Sequence, residues 1–112
     1  MSATCAIIDE LRSLANGSIS GAYATVGAAF EHPARLICIT NNTDGDMLFS
    51  TDGVTDMLFV ASRSFKLFDL TTNHGVYDAT FVLPINTQIY VKRSTVPTTG
   101  SVYVEIIYGR GQ

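Results

Sequence analysis

Ser101-Val102-Tyr103-Val104-Glu105-Ile106-Ile107-Tyr108 decides the fold. Val102, Val104, Ile106 and Tyr108 fall on one side of an extended chain, and Ser101, Tyr103, Glu105 and Ile107 fall on the other. A period of two is the signature of a strand with one buried face, because successive side chains leave a strand in opposite directions. Gln88-Ile89-Tyr90-Val91-Lys92-Arg93 repeats the pattern, with Ile89 and Val91 inward. Working outward, further strands are expected at 22–30, 35–41, 47–50, 57–60, 64–69 and 80–83. They are separated by clusters of Gly, Pro, Asn, Asp and Ser. Asp44-Gly45 and Asp52-Gly53 read as hairpin turns, since Gly takes positive φ without steric cost. Short strands at this spacing predict an all-β, antiparallel β-sandwich or jelly roll. Leu36-Ile37-Cys38-Ile39 is apolar on both faces, as in a central strand or one covered by a partner.

Only the N-terminal segment breaks the period. Ile7, Ile8, Leu11, Leu14 and Ala15 line up at helical spacing, Thr4 could cap the start, and Asn16-Gly17 is a stop signal. The spacing predicts a short helix over 4–16. The competing reading is an extended arm that orders against a partner. The organisation expected is an arm or helix over 1–20 and one sandwich domain over 21–112. The apolar face of the arm is surplus to the sandwich core on this reading, so removing the arm should leave a folded domain. Ile7, Ile8, Leu11 and Leu14 are therefore candidate partner-binding residues, as is Tyr103 on the outward side of its strand.

Composition narrows the function. The 112 residues are 46% hydrophobic and 15% charged, against about 25% charged in an ordinary soluble domain. A surface so poor in charge suits a chain that hides part of itself in an assembly. Seven Lys and Arg stand against ten Asp and Glu, and the bases are scattered, so direct nucleic-acid binding is not expected. No apolar run approaches the roughly 20 residues a bilayer requires, so no membrane partner is expected. Met1 to Glu10 has no basic stretch, so a secretory signal is not expected either.

No catalytic, cofactor or metal site emerges. Asp44 and Asp46 suggest a calcium loop, but the ligands that should follow are Met47-Leu48-Phe49. Gly17-Ser18-Ile19-Ser20-Gly21 has Ile where a nucleophile elbow needs Ser. His32 and His74 lie beside turns, with no specific triad around them. Cys5 and Cys38 are too few for a zinc site and read as two reduced thiols, with a disulfide between them as the alternative. The chain is not expected to be an enzyme. A small carbohydrate-binding module is the alternative outside the structural class, although such modules usually present Trp and this chain has none.

The string itself adds a resemblance. Leu11-Arg12-Ser13-Leu14-Ala15-Asn16-Gly17-Ser18-Ile19-Ser20-Gly21-Ala22-Tyr23, Asn41-Asn42-Thr43-Asp44-Gly45-Asp46, Ser50-Thr51-Asp52-Gly53-Val54-Thr55-Asp56, Gln88-Ile89-Tyr90-Val91-Lys92 and Ser101-Val102-Tyr103-Val104 together resemble a family of small tailed-bacteriophage virion proteins. Within it, length and β-rich character look most like the capsid decoration, or staple, proteins of epsilon15-type podoviruses. The resemblance implies a jelly-roll-like domain, made in the host cytoplasm, that sits on the capsid exterior and clamps neighbouring subunits. Its partners would be the major capsid protein and other copies of itself. A collar, connector or tail position is the alternative within the same family.

Overall fold

The computed structural model describes residues 5–69 and 85–110. Among these residues, nine strands form two antiparallel sheets facing each other across an apolar core. In chain order they are β1 (Cys5–Ile8), β2 (Arg12–Ala15), β3 (Ala24–Thr25), β4 (Leu36–Thr43), β5 (Met47–Ser50), β6 (Leu58–Val60), β7 (Ser64–Asp69), β8 (Tyr90–Arg93) and β9 (Gly100–Arg110). The first sheet runs β1-β9-β4-β7, with β2 also on β9; the second runs β3-β8-β5-β6. The fold is an all-β sandwich, as the alternation predicts. The expected strand at 80–83, and His74, lie outside the described residues.

Alternation decides what is buried. Val102, Val104 and Ile106 on β9, Ile37 and Ile39 on β4, Met47 and Phe49 on β5, and Ile89 and Val91 at β8 all fill the space between the sheets. Val104 has no exposed surface, so Val104→Ala should cost about 1–3 kcal/mol through lost burial and a residual cavity. Urea denaturation will read this as a lower midpoint at unchanged slope.

Three expectations need correction. The helix over 4–16 does not form. β1 and β2 lie end to end along β9, where Ile8 is opposite Ile107 and Leu14 opposite Val102. A four-residue strand, a three-residue link and another four-residue strand happen to space apolar residues as a helix would. A 3-10 turn follows at Asn16–Ser18. The segment is therefore part of the sheet, with Leu14 packed on the core. Deleting it would strip β9 of its partners on that edge and take Leu14 from the core, so the truncated domain is expected to lose stability rather than fold unharmed.

The second correction is at Asp44-Gly45. It joins β4 in the first sheet to β5 in the second, so it is a crossing and not a hairpin. Gly45 is needed for close approach: a Cβ there would lie 2.6 Å from the Thr95 carbonyl oxygen. Asp52-Gly53 does lie in the β5–β6 hairpin, and Gly53 takes φ +74°.

The third correction is at 22–30, where only Ala24–Thr25 is regular strand. Gly27 kinks the chain at φ +68°, although Val26 and Phe30 still donate backbone hydrogen bonds to Ile89 and Thr87.

Candidate functional site

A strand pair that belongs to a two-layer sandwich usually turns polar side chains to solvent. The first sheet departs from this. Its register places Ile8, Ile107 and Leu36 side by side on the outer face. The next row is Glu105, Cys38 and Leu67, and the one after is Tyr103, Thr40 and Phe65. Ile8 is 78% exposed, Phe65 64% and Leu67 61%. Leu36, Cys38, Tyr103 and Ile107 are half-buried. The surface dips between Ile8, Leu36, Cys38, Leu67, Glu105 and Ile107 into a groove of about 200 Å³. That is below the roughly 300–1,000 Å³ of small-molecule sites.

The candidate residues from the sequence separate across this geometry. Ile8 and Tyr103 share the outer face. Ile7 pairs with Tyr108 and turns to the opposite side, half-buried. Leu11 lies in the link between β1 and β2 and is 57% exposed. Leu14 points into the sandwich. The four apolar residues of the segment therefore do not form one stripe. Sequence reasoning missed Phe65, Leu67 and Glu105 as members of a face. The signal was the double-faced Leu36–Ile39 run and the outward Ile107.

The outer face of the second sheet is different. Asp56 accepts a hydrogen bond from the Tyr23 hydroxyl at 2.6 Å and pairs with Lys92 at 3.0 Å. The Lys92 ammonium stands 4.8 Å from the centre of the Tyr23 ring. Burial, and then the hydrogen bond to the Asp56 carboxylate, push the Tyr23 hydroxyl up to about 12. The Tyr23 and Lys92 contacts hold the Asp56 carboxyl below its ordinary value.

The acidic loop residues serve the fold. Asp44 accepts from the Thr98 hydroxyl, from the Thr98 amide at 2.7 Å and from the Thr99 amide at 3.2 Å. These bonds, the hydroxyl first, lower its carboxyl to about 2. Asp46 accepts from the Ser62 amide at 2.9 Å. Asp52 accepts from the Ser50 hydroxyl and from the Val54 and Thr55 amides, which stitch the β5–β6 turn and hold its carboxyl far below the carboxylate range. Among the described residues, no three His, Cys, Asp or Glu side chains gather as metal ligands would. His32 stacks on Tyr108, ring centres 3.9 Å apart.

Cys38 carries a free thiol. Cys5 is opposite Arg110 and Cys38 opposite Glu105 on β9. That register separates the two by about 16 Å along the strands, too far for a disulfide within one chain.

These shifts fix two pH responses. A carboxyl lowered from 3.8 to about 2 gives Asp44 a stabilising contribution that is complete above pH 4 and is lost as pH falls through about 2. A hydroxyl raised from 10.0 to about 12 gives Tyr23 a contribution that is complete below pH 10 and is lost as pH rises through about 12. Carboxyl NMR titration, and phenolate absorbance of wild type against Tyr23→Phe, will check them.

No protein-family model and no curated protein matches the chain. Among solved structures, the chain is similar to one described under Bacillus endospore appendages, a novel family of disulfide-linked pili. The TM-score is 0.49 at 14% identity, covering 96% of this chain and 89% of that one.

Proposed function

We propose that the chain is a virion structural protein that decorates the outside of an icosahedral capsid and clamps neighbouring major capsid subunits. The observation that supports this best is the apolar outer face of the first sheet. A solvent-facing sheet with Ile8, Phe65 and Leu67 each more than half exposed suits a protein whose working state is an assembly. The resemblance to small phage virion proteins points the same way, and the low charge agrees with it. The role needs no catalytic group. A protein that binds across a subunit boundary only in the mature lattice stabilises that lattice by mass action, by about 2.7 kcal/mol per site at a hundredfold excess over Kd.

The test is to mix purified protein with shells lacking decoration. Saturable binding in many copies per shell, with an upward shift in the temperature at which shells rupture, is the expected result. No binding to shells, with binding to purified portal or tail complexes instead, would replace this reading with the collar or tail one.

A further inference from the structure

The outer face of the first sheet has a chemistry that specifies its occupant. Its apolar rows surround one carboxylate, Glu105, which lines the groove. Asp69 lies in register with Leu36 at the end of the same face. The cross-strand register puts Ser13, Tyr103, Thr40, Cys38, Leu67 and Phe65 on the remainder. Among the described residues the rows from Leu36 to Thr40 carry acids and no base, and Arg63 lies beyond them, where it donates to the Asn42 side chain. Two copies of this face stacked on each other would bring Glu105 against Glu105 in a desolvated centre, which like charges oppose. A groove of about 200 Å³ has room for one or two side chains. Strand addition at β7 is discouraged by the exposed Lys66 on that strand.

We propose that this face docks a segment of another protein that presents apolar side chains around one lysine or arginine. The base pairs with Glu105, and an apolar neighbour fills the groove over Cys38, Leu67 and Ile107. Resting on the capsid-binding reading, the segment belongs to the major capsid subunit. Burying the apolar rows supplies affinity, and the single ion pair sets register and excludes acidic surfaces.

Cys38 provides the readout, because its thiol lies in the groove. Alkylation of Cys38, followed by peptide mass spectrometry, is compared for free protein and protein bound to shells. At least a tenfold slower alkylation on the shell is expected. Alkylation at the free rate while the protein is fully bound would overturn the face and leave the capsid reading standing. Slower alkylation of free protein as its own concentration rises would assign the face to a second copy and overturn the proposal.

If wild type fails to bind shells, the capsid reading falls and the face is judged alone. The probe is then a synthetic peptide of alternating leucine and serine with one central lysine. Its titration should shift the methyl NMR signals of Leu67 and Ile107. Glu105→Lys should weaken that peptide at least tenfold and favour the version with central glutamate. Equal binding of both peptides by both proteins would overturn the proposal.

Discussion

Arg12→Ala will lower the stability of the domain by about 3–5 kcal/mol, the usual cost of breaking a buried charged network by removing one partner. Arg12 is only 4% exposed although it stands near one end of the sheet. Its register partner is Val104, so its side chain enters from the core side of β2. There the guanidinium donates from Nε to the Ala28 carbonyl at 2.7 Å. It also reaches the Glu10 and Ala29 carbonyls and pairs with Asp9 at 3.2 Å. Its charged carbon lies 5.0 Å from the centre of the Phe30 ring. The side chain also packs where Gly27 leaves space: a Cβ on Gly27 would lie 2.7 Å from Arg12 Cγ. One residue thus ties the β1–β2 link to the irregular 26–30 segment. Truncation strands several acceptors and the Asp9 carboxylate together. Arg12→Lys keeps the charge but lacks the planar fork, so it should recover only part of the loss. Thermal unfolding will show the alanine variant melting more than about 10 °C lower. A change under 2 °C would mean that the buried network is energetically idle.

Asn41→Asp will be the second large loss, at about 3 kcal/mol or more near neutral pH. Asn41 is fully buried on β4. Its amide donates to the Gly45 carbonyl at 2.8 Å and to the Val60 carbonyl at 2.9 Å. Its oxygen accepts from the Thr43 amide at 3.1 Å and hydroxyl at 2.6 Å. The bond to Val60 joins the first sheet to β6 of the second. An aspartate at 41 replaces that one nitrogen with an oxygen facing both carbonyl oxygens. The buried acid would bind its proton more tightly folded than unfolded. The penalty is therefore smallest below about pH 4 and grows as pH rises through the folded value. Urea unfolding of the variant at pH 3.5 and pH 7 checks both the size and the sign. An equal penalty at both would show that no charge is buried there.

Reading strands from this sequence worked where two signals coincided. β5 and β7 have the bounds that strand-forming residues and flanking turn residues set, and β9 extends the alternating run by one residue before and two after it. It failed where a local pattern had two solutions. Ile7, Ile8, Leu11 and Leu14 satisfy a helical stripe, and only pairing with β9 selects two short strands. The same ambiguity hid Arg12, which on a helix would face solvent and here fills the end of the core. Asn42-Thr43 looked like the onset of a turn, whereas β4 runs on through Thr43, and no sequence signal shows that Asn41 meets Val60 across the sandwich. The apolar outer face of the first sheet was half visible. Leu36, Cys38 and Ile107 broke the inward-apolar, outward-polar rule. Their meeting with Leu67 and Phe65 depends on the order of strands in the sheet, which alternation does not encode.

The most direct measurement is a cryo-EM map of the virion, or of shells saturated with the protein, at a resolution that traces this chain. The expected result is the chain on the shell exterior at a boundary between capsid subunits. The face bearing Cys38, Leu67 and Ile107 should lie against a subunit, with a basic side chain beside Glu105. A chain confined to the portal axis or tail, or one on the shell with that face turned to solvent, would contradict it.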